Sequence, residues 1–171
     1  MNSEEIRMAI EGLAVTIAAQ PEKARAKNAP ATARVTDGLQ CEVRGPYGER
    51  LVTDMPPAMG GNASGPNPGW LLRAALASCT ATVIAMRAAR LGVALDSLAV
   101  TVESDSDSRG ILGTDDSVSA GLSAVRTIVR IRAPAASDAQ LREIVLWADS
   151  HSPVGCTLRS APSYSIDIEI L

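Results

Sequence analysis

Apolar residues at the start of the chain recur at helical steps. Ile6, Ala9, Ile10, Leu13, Ala14 and Ile17 are spaced three or four apart, with polar residues between them. That period predicts a helix over 3–19, with Ser3 as N-cap, Glu4 and Glu5 in its first turn and Gln20-Pro21 as its stop. Residues 22–30 read as a polar linker. From Ala31 the period falls to two, and 31–36 and 39–44 read as strands joined by Asp37-Gly38, a type I′ hairpin signal. Leu39, Cys41 and Val43 share one face of the second strand. A turn at 45–48 leads into 50–53 and completes a three-stranded antiparallel meander. A Gly- and Pro-rich loop, stiffened by its prolines, follows over 56–69. Residues 68–90 are apolar on most of a helix circumference, so this helix must be covered on several sides. Leu91-Gly92 closes it.

The second half alternates again. Residues 97–103 read as a strand and 104–121 as a polar loop. Over 122–132, Val125, Thr127, Val129 and Ile131 face inward while Arg126, Arg130 and Arg132 face solvent. Ser137-Asp-Ala-Gln140 is a capping box. It opens a helix with a stripe of Leu141, Ile144, Val145 and Ala148, which Ser152-Pro153 ends. Tyr164, Ile166, Ile168 and Ile170 read as the inner face of a final strand. The order predicts an α+β fold in which an antiparallel sheet wraps a buried central helix. One six-stranded sheet covers only one side of that helix, so a second copy is expected on the other, giving a homodimer.

Composition narrows the chemistry. A chain of 171 residues is most simply one domain with a real core. Hydrophobic residues make up 46% but aromatic ones only 2%, with no Phe, so the core must be aliphatic and Ala-rich. The net charge is −3 and no Lys/Arg cluster is interleaved with aromatics, which argues against nucleic acid. The acidic N-terminus lacks the basic region of a secretory signal, and the apolar stretch 12–19 is too short to cross a bilayer. A cytoplasmic protein without a membrane partner is expected. Three cysteines fit that reducing setting. With one His and no CxxC, neither a metal nor another cofactor is expected.

Cys79 lies inside the apolar helix and Cys156 follows just after a predicted helix end. A buried thiol with a distant possible partner points to redox chemistry; the competing reading is a small core hydrophobe. Cys41, on the apolar strand face, reads as core. His151 reads as a dipole partner at a helix C-terminus. Trp70 and Trp147 read as packing anchors, although Trp70 also follows the loop that would border a site at Cys79.

Gly60-Gly61-Asn-Ala-Ser-Gly-Pro-Asn-Pro68, Leu71-Leu-Arg-Ala-Ala-Leu-Ala-Ser-Cys79-Thr-Ala-Thr, Leu91-Gly-Val and Ser152-Pro-Val together resemble the OsmC/Ohr family. These are the osmotically induced protein C and organic hydroperoxide resistance proteins. The resemblance covers about 31–171 as an OsmC-like domain, leaving 1–30 as an N-terminal helix and linker. It implies an intertwined homodimer with thiol sites at the interface. It also implies reduction of organic hydroperoxides: a helix cysteine attacks the peroxide, a second cysteine resolves the sulfenic acid, and an external dithiol, a lipoylated protein in some members, regenerates the pair. On that pattern Cys79 is the peroxidatic thiol.

This chain departs from the family at three points. Ser152 stands where the second cysteine normally opens a Cys-Pro-Val segment, with Cys156 four residues later as a candidate resolving thiol. A glutamate ten residues before the peroxidatic cysteine is Gly69 here. The activating arginine of an N-terminal hairpin would fall near Thr36. A peroxidatic thiol must ionise, burial opposes this, and Cys79 is about three turns inside its helix, beyond the helix field. A cation from another element is needed, and Arg34, Arg44, Arg50 and Arg159 are candidates. Trp70 and Ser152 are the candidate substrate contacts. The rival functions are non-catalytic binding of a small apolar or acyl ligand and redox sensing through one cysteine.

Overall fold

A computed structural model describes residues 2–171, so Met1 of the expected 1–30 segment lies outside the described residues. The described residues form five α-helices: α1 (Ser3–Ala19), α2 (Pro68–Arg90), α3 (Ser108–Leu112), α4 (Asp138–His151) and α5 (Pro153–Arg159). The strands are β1 (Thr32–Asp37), β2 (Gln40–Arg44), β3 (Arg50–Thr53), β4 (Ser97–Ser106) and β5 (Leu122–Arg132). The chain divides into two compact units, residues 9–75 and residues 76–171 with the first turns of α1.

The first helix has its expected extent but a different cap. Asn2 Oδ1 accepts from the Glu5 N–H and Glu5 Oε2 accepts from the Asn2 N–H, both at 2.9 Å. This is a capping box with Asn2, not Ser3, as N-cap. No residue of α1 is buried.

In the 9–75 unit, β1, β2 and β3 form the expected antiparallel meander, with Cys41 opposite both Val35 and Thr53. Asp37 pairs with Gln40, so the two-residue turn is Gly38-Leu39, one residue later than expected. Gly38 has φ +54° and Leu39 a negative φ. A type I′ turn needs positive φ at both central residues, so this is not one. A slip in register between Val35 and Asp37 accommodates the shift.

In the 76–171 unit, β4 and β5 pair antiparallel from Ser97 opposite Arg132 to Ser106 opposite Leu122. Arg126 and Arg132 sit on the solvent face in ion pairs with Glu103 and Asp96 at 3.7 and 3.1 Å. The core gathers Ile84 and Ala88 of α2, Val93, Ala133, and Ile144 and Ala148 of α4, with Leu98, Val100, Val129 and Ile131 packed against them. Helix α2 ends in a Schellman motif. The Gly92 N–H donates to Ala89 O at 3.0 Å, and the Val93 N–H to Ala88 O at 2.9 Å. Gly92 takes φ +68°, which a residue with a Cβ would resist. By length and composition α2 is also long and apolar enough to cross a membrane, yet one side of it is packed in this core and Arg73, Arg87 and Arg90 interrupt it.

Two expectations fail here. The region 104–121 is not all loop. β4 extends to Ser106, and Asp107 caps the short α3 by accepting from the Arg109 N–H. Residues 160–171 form no strand, and Tyr164, Ile166, Ile168 and Ile170 are 71–94% exposed. The expected six-stranded sheet is therefore two sheets, of three and two strands. Alternation encodes which side chains would face a core; it does not supply the backbone edge on which a strand must pair.

Candidate active site at Cys79

Cys79 sits in the middle of α2. Leu76, Thr80, Ile84, Ala88 and Ala89 are the buried residues of that helix. Leu72, Cys79 and Met86 recur at seven-residue steps along another side, which is less covered: Leu72 and Met86 are each 38% exposed and Cys79 is half-buried. All three cysteines are free thiols.

The Ser152 hydroxyl donates to Cys79 Sγ at 3.3 Å. Ser152 is fully buried and holds its position through its own helix. It is the N-cap of α5, and its Oγ accepts from the Gly155 N–H at 3.2 Å. Pro153 at the first helical position is preorganised for that turn. A thiol 73 residues earlier and the Ser-Pro-Val segment thus form one site.

Cys156 is exposed and points elsewhere. Its S–H donates to Ser150 O at 3.3 Å, and Arg159 Nη2 donates to its sulfur at 3.5 Å. Arg159 is anchored in turn on Asp149, through Oδ1 at 3.0 Å and the backbone oxygen at 2.6 Å. Gly155 is what lets this cluster lie close to Ser152. A Cβ there would stand 3.2 Å from Ser152 Oγ and 3.4 Å from Arg159 Nη1. Beside the site, the Trp147 ring stacks on His151 with centroids 3.8 Å apart. Arg87 lies over the same indole at 4.7 Å and pairs with Glu143 at 2.6 Å.

The remaining candidates belong to the 9–75 unit. Arg44 and Arg50 are both engaged by Glu42, at 2.7 and 2.5 Å, and the hydrogen bond from Arg44 holds the Glu42 carboxyl low. Arg34 lies opposite Glu42 in the ladder and forms no ion pair among the described residues. Trp70 is half-exposed at the start of α2, where its N–H donates to Asn67 Oδ1 at 2.8 Å. Among the described residues, no cluster of His, Cys, Asp and Glu could hold a metal. A surface groove of about 510 Å³ between β5 and α4 is lined by Val129, Ile131, Leu141 and Val145, and Cys79 is not part of it.

Sequence reasoning passed over Asp54. This carboxylate is 2% exposed and accepts from the N–H groups of Met55, Asn62 and Ser64 and from the Ser64 hydroxyl, at 2.8 to 3.1 Å. It gathers the loop that leads into α2. The loop is tight enough that a Cβ at Gly61 would collide with Met55 O. Hydrogen bonds from the Ser64 N–H and hydroxyl, then from Met55 and Asn62, hold the Asp54 carboxyl below the ordinary aspartate range. A depressed folded-state pKa contributes stability that is present above the unfolded value and lost as pH falls through the folded one. Asp54→Asn is therefore expected to lower the thermal midpoint near pH 7, with the gap from the parent narrowing as pH is lowered through and below the ordinary aspartate range. A gap of equal size near pH 7 and below that range would disprove this role.

The sequence model for OsmC-like protein matches residues 60–167. A sequence search of curated proteins finds no match. Among solved structures, an OsmC-like protein from Mycoplasma pneumoniae superposes with TM-score 0.67 at 18% identity, covering 80% of this chain and 91% of that one. An organic hydroperoxide resistance protein OsmC from Legionella pneumophila gives TM-score 0.62 at 20% identity, covering 80% and 92%. An organic hydroperoxide resistance protein from Elizabethkingia anophelis, with thiocyanate bound, gives 0.62 at 19% identity, covering 80% and 91%. At these identities the superpositions establish the α+β fold, and the sequence model establishes the lineage. The chain belongs to the OsmC-like family.

Proposed function

We propose that this protein is a cytoplasmic, homodimeric thiol peroxidase that reduces organic hydroperoxides, with Cys79 as the peroxidatic residue. The observation that carries the reading is the Ser152–Cys79 hydrogen bond. It puts a fixed donor on the sulfur at the position where the resemblance expects the family's second cysteine. Two of the superposed structures are organic hydroperoxide resistance proteins, which supports the same chemistry. Cys79 thiolate attacks the terminal peroxide oxygen and the O–O bond breaks. The alcohol leaves with a proton, and sulfur carries away the oxygen as sulfenic acid. Consumption of cumene hydroperoxide with excess thiol, dependent on Cys79, tests the reading. A protein that instead co-purifies with an apolar ligand and consumes no peroxide is a binding module.

One hydroxyl does not supply the positive charge a half-buried thiolate needs, and an arginine is the group for it. Arg34 is the strongest candidate of the meander because Arg44 and Arg50 already share the Glu42 carboxylate, which cancels much of their field. Arg34→Ala is expected to slow the reaction of Cys79 with iodoacetamide near neutral pH by at least about tenfold. Arg44→Ala serves as the comparison. An unchanged rate in Arg34→Ala moves the role to another cation.

The homodimer is proposed from the uncovered side of α2. A second copy over Leu72, Cys79 and Met86 encloses the thiol and leaves an apolar approach for a hydroperoxide tail.

A further inference from the structure

Resting on the peroxidase reading above, we propose that oxidised Cys79 is resolved by a thiol from outside the chain, through a mixed disulfide on Cys79 itself, and not by Cys156. The group nearest the sulfur at the resolving position is a hydroxyl, Ser152 Oγ at 3.3 Å, which cannot form a disulfide. That serine is not a passing neighbour. It is fully buried, it caps α5, and its carbonyl accepts the Cys156 N–H at 2.8 Å. Cys156 is thereby fixed one helical turn, about 5.4 Å, further along. Its sulfur is committed to Ser150 O and Arg159, and Arg159 is doubly tied to Asp149. A disulfide needs Cα atoms about 4.4–6.8 Å apart and directed Cβ vectors. Meeting that demand would require the Cys156 sulfur to leave both partners.

The chemistry balances with a thiol as the named reductant. Cys79 sulfenic acid and one thiol give the mixed disulfide and water. A second thiol, or the second group of a dithiol, attacks that disulfide, releases the external disulfide and restores Cys79. Each turn consumes one hydroperoxide and two thiol groups.

Intact-mass analysis with peptide mapping tests this on the full chain. The protein is oxidised with one equivalent of cumene hydroperoxide and then given N-acetylcysteine. The expected product carries the N-acetylcysteine adduct on Cys79, in the parent and in Cys156→Ser alike. Loss of two hydrogens with a mapped Cys79–Cys156 disulfide, or a Cys79 sulfenic acid that takes up no thiol, overturns the proposal while leaving the peroxidase reading intact. Failure of Cys79 to react with peroxide, read by absent dimedone labelling, overturns both. Ser152→Cys supplies the converse. On oxidation that variant should form an internal disulfide between Cys79 and the introduced thiol. It should also cut the N-acetylcysteine adduct by at least about tenfold, since an intramolecular thiol competes at a high effective concentration. An undiminished adduct in that variant argues that the two positions are not in register and overturns the proposal.

Discussion

Cys79→Ser is expected to lower kcat/KM for cumene hydroperoxide by at least about a thousandfold while the protein stays folded. The size follows from the nucleophile. A thiol near pH 7 offers a few per cent of a very reactive anion, and more where a hydrogen bond and a cation favour it. A serine hydroxyl offers almost none, and its oxygen cannot accept the peroxide oxygen as sulfur does. The exchange should cost little stability because it is nearly isosteric. Position 79 is half-buried, and a hydroxyl there can still pair with Ser152. Unchanged far-UV circular dichroism with lost turnover identifies the sulfur as the reacting atom. Turnover within tenfold of the parent would end the assignment, and Cys156, exposed beside Arg159, would be the next thiol to replace.

Strongly periodic elements were legible in the sequence. The helix at 3–19 and the strand at 122–132 have the extents their patterns predict, although α1 buries none of its stripe and Val125 and Thr127 of the expected inner face are exposed. Local chemistry that involves few residues was less legible. The hairpin turned at Gly38-Leu39 because a glycine can take positive φ alone, so the Asp37-Gly38 signal named the right place and the wrong pair. Helix α3 has one turn and no apolar repeat; only its ends, Asp107 and Gly113, could have betrayed it. The C-terminal alternation reads as a strand, but the single chain gives its isoleucines neither an edge nor a cover.

The site divides in the same way. Cys79 stood out on its helix, but nothing in spacing or composition could join it to a serine 73 residues away. Only the resemblance links the Ser-Pro-Val segment to that thiol; in the folded chain a hydrogen bond joins them. Cys156 was named from its position four residues beyond Ser152. A residue count cannot say which way a sulfur points, and here it turns to Ser150 and Arg159. Asp54 carried no pattern at all. Its partners are one, eight and ten residues ahead in an irregular loop, so the signal exists only once that loop has folded around it.

Met86→Asp is expected to weaken the proposed dimer by at least about a hundredfold and to make peroxide turnover per chain depend on protein concentration. In the single chain the buried residues of α2 form a narrow stripe, while Trp70, Leu72 and Met86 keep 38–50% of their surface open. Every residue of β1 and of the α1 stripe beyond Ile6 except Ile10 and Ile17 is exposed as well. That much exposed apolar surface is the argument for a cover. A membrane is a poor cover for α2, because Arg87 and Glu143 place an ion pair against its far end. A second copy suits it, and a twofold interface would carry the substitution twice. Burying an unpaired carboxylate costs several kcal/mol, and each ~1.4 kcal/mol is tenfold in the dissociation constant. Sedimentation velocity reads the mass directly; a parent chain that sediments as a single copy at micromolar concentration sinks the dimer. Because Met86 and Cys79 lie on one side of the helix, dissociation should uncover the thiol, and lost activity should return as the variant is concentrated.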